Sequence, residues 1–578
     1  MRPALRRWGR GALTMSFVFV AAVLPVRASP VLDLRAELGV GGWIVPGRFA
    51  PLRVEVRAAR EVRGILEIEL RGAAGERTVH AYALRVPSAG SQQLTADVLI
   101  TDPRRGVVVR VVGERAAEIT VPIGATRAAE GIVAAVTHEQ AGLEFLQSSG
   151  GKLRPAYLTT AELPTSWHAY EAVDLLVVRD LDARALLPSQ EEALLGWLAQ
   201  GGRLLASPGG GTPPPGWLRS ILPAEIVLPA SLAPDISIPV VGLRATPGAE
   251  VFESSGRLLA VRGRYGRGVV EVWAFDPFSP AGRVWPGRLP LWRSLLGTFR
   301  EAPPLTAAIA EELPRTRPLP GSTQLVIALL SVGYIVLVRF LLRRFGAASG
   351  GWAVLAAAVA AAAIVLYGSA AGARRAAGSI AQVTIIEGLE GTARARAITL
   401  VSLIAPYGGG VDLALPAGAG VRALGAAELR VSDGTAVSAA APRTEPGVLE
   451  VSQIVPFDLR ASAVEVNGAL ELRITGEGRR PSPAVLFRSG QAYRLGEMPG
   501  GRAVLDPARW EGADRVAGFG SELTARAAAA VFRRLADSGG DGIFLVGETA
   551  DEAVGVRLQA GGRGQWTRLV VVPVELRR

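Results

Sequence analysis

The chain has 578 residues, 49% of them hydrophobic and 20% charged, with a formal net charge of +11 and no cysteine. The lack of cysteine excludes disulfides, zinc–thiolate sites, iron–sulfur clusters and any cysteine nucleophile. The positive charge does not indicate nucleic-acid binding, because a basic excess without Asp or Glu lies in residues 1–28 and 313–379 and not on a globular face. This length predicts about three or four folded units.

Three apolar segments have the features of targeting or membrane segments. Residues 1–28 are typical of a signal peptide, with a basic start, an apolar run and a small residue, Ala28, at the cleavage position; an uncleaved anchor is the alternative. Residues 323–342 and 352–371 are apolar runs with flanking arginines, each long enough to cross a hydrocarbon core of about 30 Å. We expect two transmembrane helices, with buried core helices as the alternative.

Apolar and polar residues alternate at period two within residues 29–125, for example at 52–57 and 64–70, and turn signals separate the runs. Short strands at this spacing predict an N-terminal β-sandwich domain. A Pro-rich linker, 302–322, comes before the first predicted span.

Residues 126–301 show a different pattern, in which short apolar runs alternate with helix-start signals. The apolar runs are 131–136, 173–178 and 203–206, and capping-box patterns begin at Thr137 and Ser189. A later pair of runs, 258–261 and 269–274, indicates a hairpin. This alternation predicts a flavodoxin-like α/β domain with a parallel sheet and right-handed crossovers.

The segment DLLVVRDLDARALLPSQEEALLGWLAQGGRLLASPGG (174–210) resembles the core of class I glutamine-amidotransferase-like domains. The segment YGRGVVEVWAFDPFSPAGRVWPGRLPLWRSLL (265–296) resembles uncharacterised bacterial membrane proteins that carry such a domain. This resemblance implies an N-terminal β domain, the α/β domain and membrane helices, often encoded near MoxR-type ATPases and von Willebrand-A-type proteins. A second resemblance is to the auxiliary membrane subunit of gliding-type ABC transporters.

β patterning returns after residue 380. Strand-like runs include 393–404, 448–455 and 469–475, one helix is predicted over Ser521–Ala536, and late strands are predicted over 543–546 and 566–576. We expect a second β-sandwich over 380–500 and a small α+β cap over 501–578, which together form a β-rich C-terminal α+β region.

No catalytic residue is predicted. Amidotransferases of the resembling class need a cysteine nucleophile, which this chain lacks. Ser207 does not replace it, because a nucleophile elbow needs G-x-S-x-G, while Leu205 stands at the first glycine position and Pro208 removes an oxyanion-hole N–H. The three histidines show no metal-ligand spacing, so neither a metal nor a cofactor is predicted. His80, on a strand of the β domain, is predicted to be a surface or edge residue.

Polar residues follow several of the predicted strands of the α/β domain. They are Thr137, His138, Asp180, Ser207 and Asp276. Open α/β sheets bind ligands at the carboxyl ends of their strands, so these residues form a candidate ligand-binding edge. Helix capping and turn formation are the alternative roles for the same residue types.

These patterns together predict a non-enzymatic, membrane-anchored extracytoplasmic scaffold or partner-binding protein of the bacterial cell envelope. Its location would be the cytoplasmic membrane, multi-pass, and its partners the lipid bilayer and envelope proteins such as a MoxR/von Willebrand-A-type system, with no nucleic acid. The alternatives are an accessory membrane subunit of a gliding-type ABC transporter and a hydrolase with an unrecognised carboxylate site. We also expect residues 126–300 to pack near 380–578.

Overall fold

The computed structural model describes most of residues 32–297 and 379–577, with short gaps inside both ranges, and isolated positions between 310 and 361. Strands dominate the described residues. They fall into an N-terminal unit (32–121), a central unit (128–297) and a C-terminal unit (379–577).

The N-terminal unit consists of strands whose side chains alternate between core and solvent. The strands are β1 (Leu32–Leu38), β2 (Phe49–Ala58), β3 (Val62–Arg71), β4 (Arg77–Val86), β5 (Gly90–Leu99), β6 (Val107–Gly113) and β7 (Ala117–Val121). On β2, Leu52, Val54 and Val56 are buried, while Arg57, between the buried Val56 and Ala58, is exposed. This period-two alternation buries one face of each sheet, and the two sheets, β1-β2-β5 and β4-β3-β6-β7, enclose a common apolar core.

The central unit is built around parallel strands. Its elements are β8 (Gly131–Val136), α1 (Phe145–Ser148), β9 (Leu153–Leu158), β10 (Val173–Val178), α2 (Pro188–Ala199), β11 (Arg203–Ala206), α3 (Gly216–Arg219), β12 (Ala224–Ala233), β13 (Ile238–Ala245), β14 (Glu250–Ser254), β15 (Arg257–Tyr265), β16 (Gly268–Trp273), α4 (Pro280–Val284) and α5 (Arg288–Gly297). The sheet order is β14-β15-β16-β11-β10-β8-β9. Neighbouring strands pair in parallel from β9 through β8, β10 and β11 to β16, whereas the β16–β15 and β15–β14 pairs are antiparallel.

The three predicted apolar strands and the hairpin are present, but the predicted flavodoxin-like α/β domain is wrong. The helix expected after Thr137 is reduced to the four residues of α1. Gly142, with φ +108°, adopts a backbone conformation that a right-handed helix does not contain, and so interrupts the capping-box pattern. The connection from β11 to β16 contains two strand pairs in place of one crossover helix. The result is a mixed sheet that does not have an amidotransferase-like fold.

The C-terminal unit is also mostly strands. Its elements are β17 (Ser379–Gly388), β18 (Arg394–Ile404), β19 (Val411–Ala414), β20 (Gly420–Ala423), β21 (Glu428–Ser432), β22 (Ala436–Ala440), β23 (Gly447–Pro456), β24 (Arg460–Val466), β25 (Ala469–Thr475), β26 (Ala484–Arg488), β27 (Gln491–Leu495), β28 (Arg502–Leu505), β29 (Glu511–Gly512), α6 (Glu522–Asp537), β30 (Ile543–Glu548), β31 (Arg557–Leu558) and β32 (Gly564–Arg577). Twelve of these strands form one sheet, and α6 packs on it through Leu523, Ala527 and Val531.

One sheet runs through two units. Strand β4 of the N-terminal unit pairs in parallel with β21, from Arg77 opposite Glu428 to Ala81 opposite Ser432. The resulting eight-stranded sheet has the order β31-β19-β22-β21-β4-β3-β6-β7. The main-chain hydrogen bonds of this sheet therefore join segments that the sequence assigned to separate domains.

The predicted signal peptide (1–28) lies outside the described residues, and so do the predicted transmembrane helices (323–342 and 352–371) apart from isolated positions. In the part of the chain that the structure describes, no helix combines the length and the apolar character needed to cross a bilayer. The prediction of transmembrane helices and of a multi-pass location in the cytoplasmic membrane is corrected on that finding.

Candidate functional site: a junction of three units

The candidate ligand-binding edge of the central unit is occupied by an ion pair. Arg179, which directly follows β10, lies 3.0 Å from Asp276, and the Arg179 Nη1 group donates to Thr137 Oγ1 at 3.5 Å. Thr137 and Asp276 thus both contact Arg179, a residue that the predicted edge did not include. His138 and Asp180 lie outside the described residues.

The Asp276 carboxylate takes part in local structure on both oxygens. Oδ2 pairs with Arg179, and Oδ1 accepts from the backbone N–H of Phe278 at 2.9 Å. The Ser207 hydroxyl donates to the carbonyl of Phe275 at 3.3 Å. These bonds fit the turn-forming and capping roles of such residues, and they leave the Asp276 oxygens engaged at the edge.

A more extensive set of contacts lies where the three units meet. The ring of Phe49, from the N-terminal unit, lies 5.3 Å from the ring of His168 of the central unit. The Arg422 guanidinium, from the C-terminal unit, lies 5.5 Å from the centre of the same Phe49 ring. We call Phe49, His168, Glu171, Arg422 and Ser452 the three-unit junction.

His168 is the most buried polar group of the junction, with 1% exposure. Its Nε2 atom lies 2.9 Å from Ser452 Oγ, and its ring stacks on Trp167 at 3.6 Å. Burial lowers the pKa of His168 to about 3, and the nearby positive charges of Arg396 and Arg422 act in the same direction. His168 is therefore neutral at neutral pH.

A glycine makes room for this imidazole. A Cβ atom on Gly420, in β20, would lie 2.3 Å from His168 Nε2. Strand β20 pairs with β23, and Gly420 stands opposite Ser452. The glycine and the serine together form the part of the C-terminal sheet that receives the His168 ring.

Two arginines lie near the imidazole, and two carboxylates lie near those arginines. Arg422 donates to Glu171 at 3.5 Å, and Arg396 and Glu450 lie close enough to affect the pKa of Glu171. Burial raises the pKa of Glu171 and lowers that of Arg396. Two carboxylates and two guanidinium groups compensate one another, which a low-dielectric interface requires.

These contacts confirm that residues 126–300 pack against residues 380–578. Further contacts at the same interface join Arg267 to Glu387 and bring Gly196 of α2 against the side chain of Ile454. The prediction had rested on two membrane spans leaving the bilayer side by side. The contacts instead come from a sheet face of the C-terminal unit that the central unit covers.

Arginine–glutamate pairs reinforce the eight-stranded sheet. Glu69, 2% exposed, pairs with Arg71 at 2.8 Å, with Arg77 at 3.2 Å and with Arg110. The hydrogen bond from Arg77 is the largest cause of the lowered pKa of Glu69. Arg77 also pairs with Glu428 across the β4–β21 boundary, so one guanidinium links two units.

The Ser452–His168 pair has the composition of a nucleophile and its base, but Ser452 is only 3% exposed and His168 only 1%. No group of three potential metal ligands occurs among the described residues. The contacts of the junction residues join the three units to one another.

Sequence reasoning missed the junction and misplaced one residue near it. His80 was predicted at the surface or an edge, but it is buried, stacks with Tyr82 at 6.5 Å and has a pKa lowered by burial to about 4. Leu99 of β5 and Val421 of β20 line one cavity together with His80, so residues of two units cover its ring. The one local signal for His168 is the apolar and aromatic character of its neighbours Trp167, Ala169 and Tyr170.

No family model and no curated protein matches this chain. Among solved structures, exo-beta-1,4-mannosidase Op5Man5 from Opitutaceae bacterium strain TAV5 aligns with a TM-score of 0.21 and 16% identity, over 29% of this chain and 36% of that chain. A Paenibacillus sp. cycloisomaltooligosaccharide glucanotransferase, complexed with cycloisomaltoheptaose, aligns with a TM-score of 0.16 and 8% identity, over 30% of this chain and 27% of that chain. The chain spans about a third of their length, and similarities this low carry no argument about activity.

Proposed function

We propose that this chain is a non-enzymatic scaffold that binds partner proteins. The observation that carries the proposal is the eight-stranded sheet, in which β4 and β21 come from different units and pair over five residues. A scaffold needs binding surfaces that stay in fixed relative positions, because a preorganised surface loses less conformational entropy on binding.

The three-unit junction supports the same function. Arg422 contacts both Phe49 and Glu171, and Ser452 contacts His168, so the C-terminal unit is tied to each of the other two. Interfaces between domains that must open and close are small and weakly held. A continuous sheet and a buried, charge-balanced junction instead favour one rigid frame.

The chemistry of the polar clusters argues against the hydrolase alternative. The Asp276 carboxylate is engaged by Arg179 and by a backbone N–H, and the Ser452–His168 pair is buried. A catalytic carboxylate or serine must reach its substrate within hydrogen-bond distance. Protein partners, including the MoxR and von Willebrand-A types implied by the sequence resemblance, stay predictions.

Purification of the tagged full-length chain from its native cells, followed by mass spectrometry, tests the proposal. A double variant, Arg77→Glu and Arg430→Glu, places carboxylates opposite Glu428 and Glu67 and should loosen the β4–β21 contact. The matched control is Arg488→Glu with Arg494→Glu, two exposed arginines on one hairpin.

We expect wild type and control to retain the same partner in stoichiometric amounts and the double variant to lose it. Far-UV circular dichroism checks that all three proteins are folded. The proposal fails if the double variant retains the partner fully. It also fails if the protein turns over glutamine, an ester or a phosphoester and Asp276→Asn or Ser207→Ala abolishes that turnover.

A further inference from the structure

A small cavity lies where the N-terminal unit meets strand β20. Its volume is about 20 Å³, and its walls include Glu76, Thr78, His80, Thr101 and Arg422. Arg422 belongs to the three-unit junction, so this cavity adjoins the contact that joins all three units.

Two polar atoms near this cavity lack hydrogen bonds. Glu76 Oε2 and Arg422 Nε are buried, and neither has a partner among the described residues. The other carboxylate oxygen of Glu76 accepts from Thr101 Oγ1 at 2.8 Å, and the Nη2 group of Arg422 donates to Glu171 at 3.5 Å. Leaving a buried donor or acceptor unpaired costs about 1–3 kcal/mol, more when the group is charged.

We infer that this cavity binds a single structural water molecule, which donates to Glu76 Oε2 and accepts from Arg422 Nε. The inference goes beyond the proposed function and does not depend on it. Arg422 disfavours a cation and Glu76 disfavours an anion. A neutral molecule that both donates and accepts satisfies the two groups together.

The size of the cavity supports the same ligand. A buried water needs about 10–15 Å³ of cavity and two to four polar partners, and a cavity of about 20 Å³ has the volume for one such molecule. The Thr78 and Thr101 hydroxyls offer further partners on the same walls. The water would complete the link from Arg422 to the N-terminal unit through a polar bridge, beside the cation–π contact of Arg422 with Phe49.

A crystal structure of the full chain at about 1.5 Å resolution tests the inference, because ordered waters are resolved there. We expect one peak of density within hydrogen-bond distance of both Glu76 Oε2 and Arg422 Nε. A second crystal, pressurised with xenon, provides an independent measurement, since xenon enters dry apolar cavities. Xenon density in the cavity, or no density at all in the first crystal, would overturn the inference.

Two substitutions at Glu76 test the role of its carboxylate. Glu76→Gln keeps polar atoms toward the cavity and should retain the water, whereas Glu76→Leu should lose it. Full occupancy in Glu76→Leu would overturn the assigned partner. Should Glu76→Leu fail to fold, Ala423→Val fills the cavity from the opposite unit and should displace the water; unchanged density there would equally contradict the inference.

Discussion

The candidate edge of the central unit and the three-unit junction both place polar side chains beside buried strands, but they differ in what they connect. At the edge, Arg179 pairs with Asp276, 97 positions away and within the same unit. At the junction, His168 pairs with Ser452, 284 positions away and in another unit. The edge maintains a local turn, whereas the junction joins the three units that the structure describes.

This difference has an energetic consequence. Loss of a local contact costs the energy of that contact, because the surrounding strands stay paired. Loss of a junction contact leaves buried polar groups unpaired in two units at once, so the cost is larger. Substitutions and pH changes can therefore separate the two regions.

Acid should produce the largest effect, through His168. Because the pKa of His168 is about 3 in the folded chain and about 6.5 when unfolded, the unfolded state binds the proton first as pH falls. The stability present above pH 6.5 is then lost progressively toward pH 3. By pH 4 this group alone should lower the free energy of unfolding by about 3 kcal/mol, which chemical denaturation at pH 7 and pH 4 measures.

The matched control for this prediction is His168→Phe, which keeps an aromatic ring against Trp167 and Phe49 but does not titrate. Other titrating groups, including His80 and Asp97, are present in both proteins and cancel in the comparison. The loss of stability between pH 7 and pH 4 should be about 3 kcal/mol smaller in the variant. Equal losses in the two proteins would remove His168 as the acid-sensitive group.

The second prediction concerns the space around the same imidazole. Gly420→Ala places a methyl group 2.3 Å from His168 Nε2 and should cost about 2 kcal/mol, since a closely packed site cannot take extra volume without strain. Gly216→Ala is the control, because a Cβ there meets no atom within 4 Å. Thermal unfolding of both variants measures the difference, and a cost near zero for Gly420→Ala would show that His168 moves freely.

The third prediction concerns a group whose contribution to stability is lost as the pH rises, the opposite of His168. Asp97, on β5, has a pKa raised to about 6 by burial, although a hydrogen bond from Ser166 of the central unit acts against the shift. Because the folded pKa is raised, the stability that this group contributes below pH 3.8 is lost as pH rises toward 6. The shift of this pKa from 3.8 to about 6 corresponds to at most about 3 kcal/mol of stability at pH 7. Because Asp97 is only half-buried, we expect Asp97→Asn to stabilise the chain at pH 7 by about 1.5 kcal/mol.

Urea denaturation at two pH values measures this effect. Asp97→Asn should lose its advantage at pH 4, where the wild-type carboxyl is already protonated in the folded state. Asp412→Asn, an exposed aspartate on β19, is the control and should change stability by less than about 0.5 kcal/mol at either pH. A stabilisation of Asp97→Asn that is equal at both pH values would contradict the assigned cause.

Local patterns predicted elements well but not their assembly. Ala469–Thr475 is a strand with the predicted bounds, and the helix predicted over Ser521–Ala536 is Glu522–Asp537. Both follow from side-chain periodicity, which is a local property. The helix predicted after Thr137 failed because Gly142 takes a positive φ that the periodicity does not encode.

The pairing between units could not be predicted for a related reason. The pairing of β4 with β21 joins Arg77 to Glu428, 351 positions apart, and either strand alone has the same alternation as an edge strand. Thr137 and Asp276 were placed at one edge because the rule for parallel strands orders their carboxyl ends. That rule does not include the side chain of Arg179, which fills the edge.

The same chemical change, serine to alanine, can be made in both regions, and at the edge it should give the smallest effect of all. At the edge, Ser207→Ala removes a hydroxyl that donates to one carbonyl at 3.3 Å and should cost about 0.5 kcal/mol, as a weak neutral hydrogen bond does. At the junction, Ser452→Ala leaves the buried His168 Nε2 without its partner at 2.9 Å and should cost about 2 kcal/mol. Parallel urea titrations of the two variants measure both costs. If the two variants are equally stable, then loss of a hydrogen bond costs no more at the junction than at the edge. The rigid frame would then have to come from the β4–β21 pairing alone.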